Sequence, residues 1–205
     1  MITIIDYKTG NSGSILNVYR RIGYDVTISS APEEILDADS LILPGVGSFD
    51  RAMQNLSDLN LIPVLEESVL DRQIPFLGIC IGMQILTTRS EEGIHGGLGW
   101  IDADIKKFQI PDEHYVKIPH MGWNNLDIIQ EDPITAGVTG RDRFYFVHSY
   151  HFSKPNDAEI LATTRYGYDF PSLIRKKNIY GIQCHPERSH ASGIRFLKNF
   201  ADLGG

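Results

Sequence analysis

Short apolar runs alternate with amphipathic stretches through the first half of the chain, and that alternation predicts strands followed by helices. Residues 2–5 form an apolar run ending at Asp6, and the turn-forming Thr9-Gly10-Asn11-Ser12-Gly13 follows. Ile15, Leu16, Val18, Tyr19 and Ile22 then recur at helical spacing, with Arg20 and Arg21 between them. A second strand is predicted over 26–28. A third, over 41–43, runs into the glycine loop Pro44-Gly45-Val46-Gly47. Residues 59–70 read as helix, and 75–79 as a buried strand entering Gly78-Ile79-Cys80-Ile81-Gly82. Such an order predicts a largely parallel sheet covered on both faces, with a functional site among the loops at the strands' C-terminal ends.

The pattern changes from about residue 97. Strand-like runs at 144–147, 160–164 and 179–183 come closer together, which predicts an antiparallel or mixed portion closed by a helix over 193–200. Neither a repeat nor a linker interrupts the chain. The expected fold is therefore α/β: a mostly parallel, mixed central sheet flanked by helices, with a strand-rich C-terminal half, in one domain over 1–205.

Composition narrows the function classes. The 205 residues are 42% hydrophobic and 22% charged, enough for one full core and too few for two large domains. With 19 basic against 26 acidic residues the formal charge is -7, which argues against a nucleic-acid partner, since phosphate binding rests on clustered Lys and Arg. Neither a secretory leader nor a membrane-spanning run is apparent, so a cytoplasmic protein is expected. Cys80 and Cys184 are too few for a disulfide framework or for a thiolate zinc site within this chain.

Gly-x-Cys-x-Gly between an apolar strand and a helix-like run has the form of a nucleophile elbow, in which a tight bend exposes the reactive side chain while the glycines let neighbouring backbone pass close by. A helix N-terminus behind Cys80 would favour its thiolate, and the N–H of Ile81 would face an oxyanion forming on a substrate. A cysteine nucleophile needs a base. His185, in Gln183-Cys184-His185-Pro186-Glu187, is the best placed, because an extended backbone there would set Glu187 on the same side as the imidazole, able to orient it and stabilise its charged form. Strand alternation turns Cys184 toward packing. His148, after an apolar stretch, reads as a packed strand-end histidine. The Pro44–Gly47 loop can complete an oxyanion hole if its strand neighbours the elbow strand.

Pro44-Gly45-Val46-Gly47, Gly78-Ile79-Cys80-Ile81-Gly82-Met83-Gln84 and His185-Pro186-Glu187 together resemble the class I (triad-type) glutamine amidotransferases. Lys117-Ile118-Pro119-His120-Met121-Gly122-Trp123-Asn124 and Phe144-Tyr145-Phe146-Val147-His148-Ser149-Tyr150 look like the glutaminase subunit of imidazole glycerol phosphate synthase, of histidine biosynthesis, and Ile4-Ile5-Asp6-Tyr7 with Gly10-Asn11 agrees. The resemblance implies a Cys80, His185, Glu187 triad that releases ammonia from glutamine through a thioester. It also implies an oxyanion hole at Gly47 and Ile81, glutamine contacts at Gln84, Ser149 and Tyr150, and no metal or organic cofactor. The family further implies a separate (β/α)8 barrel cyclase as heterodimer partner, receiving ammonia through a protected channel. Pro119, His120, Trp123 and Arg188 are then the expected interface; Trp123 serves either as docking anchor or as a satellite core under a loop.

Two departures stand out. Lys8 occupies a position where these subunits usually carry glycine, and Arg188 stands where lysine usually follows His-Pro-Glu. Arg188-Ser189-His190 and Tyr166-Gly167-Tyr168-Asp169-Phe170 also look like a related branch that supplies ammonia to sugar amidotransferases of surface-polysaccharide synthesis. A stand-alone cysteine hydrolase and a catalytically silent scaffold regulating a cyclase are the rival classes.

Overall fold

The computed structural model describes residues 1–110 and 116–204. Five strands of its main sheet run parallel: β1 (Ile2–Ile5), β2 (Val26–Ser29), β3 (Ser40–Leu43), β4 (Phe76–Ile79) and β13 (Ile179–Ile182). Three antiparallel strands extend it, β12 (Tyr168–Lys176), β11 (Glu159–Tyr166) and β8 (Asp127–Ile128), in the order β2-β1-β3-β4-β13-β12-β11-β8. Every residue of β1, β3, β4 and β13 is buried, the reason their sequences are apolar or small throughout rather than alternating.

Helices α1 (Ser12–Arg21) and α6 (His190–Ala201) cover one face of the sheet. Ile15 and Tyr19 of the first join Phe196, Leu197 and Phe200 of the second in one apolar cluster. Helices α2 (Pro32–Leu36), α3 (Phe49–Asp58) and α4 (Ile62–Glu66) cover the other face, contributing Ile35, Phe49, Met53, Leu56 and Leu65 to a second cluster. One-turn helix α5 (Ile81–Gln84) follows β4 directly. Two small sheets flank the main one: β5 (Arg89–Ser90), β6 (Asp104–Lys107) and β10 (Tyr150–Phe152) form one, and β7 (His120–Asn124) with β9 (Phe144–His148) the other. Among the described residues, no helix is long and apolar enough to cross a membrane.

Three local differences from the sequence reading have physical causes. The expected helix over 59–70 is broken, because α3 ends at Asp58 and Asn60 turns the chain through a left-handed φ of 51° before α4 begins at Ile62 and continues as a π turn to Asp71. The α3 stripe of Phe49, Ala52, Met53 and Leu56, at helical spacing, was the overlooked signal. Strand β12 contains Pro171, a residue that usually argues against a central strand. Here β13 pairs with β12 only from Leu173 to Lys176, so Pro171 lies beyond that ladder and its missing N–H costs no bond there. Lys8 adopts φ 63°, the conformation that a glycine in its place takes without penalty.

Candidate functional site

The elbow follows from close approach of two loops. β3 and β4 are hydrogen-bonded neighbours, so the glycine loop after Leu43 lies against the turn after Ile79. A Cβ at Gly82 would overlap the Leu43 carbonyl oxygen, and one at Gly45 would stand 2.7 Å from the Gly82 nitrogen. Both glycines are therefore required by contact with backbone. Cys80, between β4 and α5, takes φ 55° and ψ -109°, a strained conformation for a residue with a side chain. Its N–H donates to the Ile182 carbonyl at 2.8 Å, tying the bend to β13.

Cys80 opens on a cavity of about 360 Å³ lined by Val46, Gly47, Ile81, Gln84, Glu92, Pro119, His148, Ser149, Tyr150 and His185. The structure thus gathers the expected nucleophile, base, oxyanion donors and glutamine contacts around one space. As the first helical residue, Ile81 has no intrahelical acceptor for its N–H. Gly47 reaches the cavity through a φ of 101°, open only to glycine at low cost. The helix behind Cys80 is a single turn, however, so few peptide dipoles align there. The expected helix-dipole help for the sulfur reduces to local donors, among them the Gln183 amide, whose nitrogen lies 3.7 Å from Cys80 Sγ.

His185 is 3% exposed and held at two points. Its backbone N–H donates to the Tyr145 carbonyl at 2.8 Å, linking it to β9, and its Nδ1 lies 2.9 Å from Glu187 Oε1. His185 itself is extended, as expected, at φ -102° and ψ 92°, but Pro186–Arg188 is a 3₁₀ turn, and the turn rather than strand alternation brings the carboxylate back. Because a carboxylate accepts, Nδ1 carries the proton, and Nε2, buried without a partner, is the free nitrogen. Burial alone would lower the imidazole pKa. The adjacent Cys80 sulfur and the Glu187 carboxylate outweigh burial and raise it to about 10.

Two groups at the site escaped the sequence reading. Gln183 bonds both Cys80 and Gln84, the latter at 3.0 Å; its place two residues before His185 on the same strand face was the available signal. Glu92 lines the cavity from the 91–98 loop and accepts the Phe49 N–H at 2.8 Å, at the start of α3. Burial raises its pKa, with the charge of Asp50 adding to the rise and the Phe49 N–H opposing it. No motif marked it. Gln84 gives its two amide hydrogens to the Tyr150 carbonyl and Gln183 Oε1, both at 3.0 Å, leaving Oε1 unpartnered. Cys184 is fully buried in the core on the α6 side, as alternation predicted, and burial raises its thiol pKa.

The expected interface residues divide. Pro119 is exposed at the cavity rim, Trp123 is 42% exposed beside Met121 at 62%, and Arg188 is exposed with its guanidinium 5.9 Å from the Tyr145 ring centre. Trp123 stacks on His190 at 5.1 Å. It belongs to neither core cluster and packs on Tyr145 and His190 instead. His120 departs from expectation: it is 3% exposed, points inward and offers a partner nothing. Alternation along β7 explains this, since Met121 and Trp123 face out while His120 faces in.

Solved structures share the fold. PurLQS from Thermotoga maritima superimposes with a TM-score of 0.75 at 16% identity, covering 98% of this chain and 97% of that one. A structure described as a glutamine amidotransferase gives 0.75 at 19% identity, covering 100% and 98%. Sequence relatives are nearer. A chain named imidazole glycerol phosphate synthase subunit HisH 2 from Methanococcus maripaludis is 48% identical over 98% of both chains. A chain of the same name from Pseudomonas aeruginosa is 44% identical over 99% of this chain and all of its own. Residues 3–203 match the class-I glutamine amidotransferase family, and the chain belongs to that family.

Proposed function

We propose that this chain is the glutaminase subunit of an imidazole glycerol phosphate synthase, hydrolysing glutamine at Cys80 and passing the ammonia to a separate cyclase. The observation that carries the chemistry is the convergence of Cys80 and a Glu187-oriented His185, its Nε2 unpartnered, on one cavity. The Cys80 sulfur attacks the side-chain amide carbon, forming an S–C bond, while the N–H groups of Gly47 and Ile81 hold the developing oxyanion. His185 Nε2 takes the Cys80 thiol proton, and the imidazolium so formed passes it to the leaving nitrogen as the C–N bond breaks and ammonia departs. Neutral His185 then takes a proton from water, whose oxygen displaces the sulfur to give glutamate.

Recognition of glutamine rests on the polar rim of the cavity. Gln84 offers Oε1 as an acceptor, Ser149 and Tyr150 shape the adjacent wall, and the Glu92 carboxylate suits the α-ammonium group. On this reading the partner is a (β/α)8 barrel docking over Pro119, Met121, Trp123 and Arg188, with Trp123 as anchor. The protein then works in the cytoplasm, where Cys80 and Cys184 stay reduced. Reconstitution is the test: glutamate release is slow for the chain alone and rises when the substrate-loaded cyclase is added. Partner-independent turnover with no preference for glutamine over other amides contradicts the proposal.

One observation favours a second partner, a sugar amidotransferase. Arg188 and His190, in the segment that resembles that branch, both pack on aromatic residues of the docking face. Failure of the histidine-pathway cyclase to stimulate turnover, with stimulation by a sugar amidotransferase, would select it.

A further inference from the structure

Beside the cavity lies a buried group of aromatic and imidazole rings that the proposed chemistry does not use. His120 is stacked between Tyr166, at 3.9 Å, and Phe146, at 4.6 Å. Its Nδ1 is 3.0 Å from His148 Nε2, and His148 Nδ1 is 2.7 Å from the Tyr150 carbonyl. Asn124 Nδ2 lies 3.3 Å from His120 Nε2 and 3.0 Å from the Arg165 carbonyl.

The direction of every bond in this series is determined. A carbonyl can only accept, so His148 Nδ1 carries a proton. Burial, reinforced by the neighbouring His120, His151 and His185 against the help of the Tyr150 carbonyl, holds the His148 pKa well below the ordinary value; the ring is neutral and its Nε2 bare. His120 Nδ1 must then donate. Burial also lowers the His120 pKa, to about 4, so its Nε2 is bare in turn and accepts the Asn124 amide. Protons therefore point one way, from Asn124 through His120 and His148 to Tyr150. Both imidazoles are fixed as the Nδ1–H tautomer, the less favoured form of free histidine. The Tyr150 carbonyl at the end also receives the Gln84 amide, and Gln84 and Tyr150 both line the cavity.

We infer that His120 and His148 are positioning residues: the chain Asn124–His120–His148 holds the Tyr150 carbonyl, and through it Gln84, in place for glutamine. This role rests on the glutaminase reading of the cavity. It also ties the cavity wall to β7, whose outward residues are Met121 and Trp123. His151 belongs to the same ring cluster yet stands outside the chain, since it bonds the Phe152 carbonyl and the Tyr168 hydroxyl.

The test has a structural and a kinetic arm, both on the full chain. In the wild-type protein, ¹⁵N imidazole spectra with site assignment are expected to show Nδ1–H for both His120 and His148 near neutral pH; an Nε2–H tautomer or a protonated ring at either site overturns the chain. In the reconstituted complex, His120→Phe keeps the stacking and removes the donor, and is expected to raise KM for glutamine about fivefold to tenfold, the scale of one lost hydrogen bond, with kcat nearly unchanged. His120→Asn, which returns a donor near the Nδ1 position, is expected to recover most of that loss. His151→Phe should leave KM unchanged. A KM rise as large in His151→Phe, or unaltered KM in His120→Phe, overturns the positioning role. Wild-type protein that shows both tautomers but no glutamine turnover would refute the glutaminase reading alone.

Discussion

Two buried histidine sites, one lining the cavity and one behind its wall, carry opposite charge behaviour. His185 and His120 are equally hidden, each 3% exposed, yet one imidazole is pushed up to about 10 and the other down to about 4. Desolvation is common to both and disfavours the cation. What differs is the company: His185 has the Glu187 carboxylate at 2.9 Å and the Cys80 sulfur beside it, whereas His120 has aromatic faces, a second neutral imidazole and an amide. Counter-charge, not burial, decides which histidine can act as an acid and which serves as a fixed hydrogen-bond link.

Removing the counter-charge should break the contrast most severely. Glu187→Gln leaves His185 buried with no carboxylate, so its cation loses support and its tautomer is no longer set. Glutaminase kcat in the complex is expected to fall about 10²-fold or more, as in other relays that lose their carboxylate. Alkylation of Cys80 near neutral pH should slow in the same variant and in His185→Ala, because the imidazolium favours the thiolate. An alkylation rate unchanged in both removes His185 from the relay.

Acid stability gives the next largest effect, and the two sites contribute with opposite sign. The folded pKa of His185 lies above its unfolded value of about 6.5, so its contribution is fully present below that pH and is lost as pH rises through about 10. For His120 the folded pKa is below the unfolded one. The unfolded chain therefore binds the extra proton first, and stability declines as pH falls from about 6.5 to about 4, by roughly 2–3 kcal/mol in total. Denaturant unfolding followed over that range should show a shallower decline for His120→Phe than for the wild type. Equal slopes would mean that His120 does not carry a lowered pKa. His148 and His151, also lowered by burial, contribute to the decline that remains in the variant, together with carboxylates such as Asp50 and Asp104 that hydrogen bonds hold below their ordinary range.

Arg188→Lys sharpens the comparison at its edge. The guanidinium lies over Tyr145, the residue whose carbonyl receives the His185 N–H. Replacing a planar stacked cation by a point charge should cost about 0.5–1 kcal/mol, read as a twofold to fivefold weaker cyclase affinity with kcat intact. A larger fall in kcat would show that Arg188 supports the position of His185 rather than the docking face.

The two regions also differ in how far the sequence reveals them. Local rules carry the elbow: apolar strand, glycines at 78 and 82, and a loop from the neighbouring strand, each needed where backbone meets backbone. Parallel strands buried on both faces leave equally plain apolar runs, which is why β1, β3, β4 and β13 are predicted close to their observed bounds. The second half is harder. β12 mixes Pro171, Arg175 and Lys176 into a strand that only its partners define, and short β5, β6 and β8 depend on tertiary pairing. Glu92 reaches the cavity through loop placement, for which no spacing rule exists, whereas Gln183 carries only the weak signal of standing two residues before His185. His120 shows a further limit: its motif signals an interface, yet strand alternation places Met121 and Trp123 outside and the imidazole within.

The central claim, that Cys80 is the nucleophile that frees ammonia from glutamine for a partner, is tested most directly by Cys80→Ala in the reconstituted complex. With glutamine as the only nitrogen donor, product formation by the cyclase is expected to stop, while added ammonium salt restores it to the wild-type level, showing an intact partner. Continued glutamine-dependent product formation by Cys80→Ala would contradict the account.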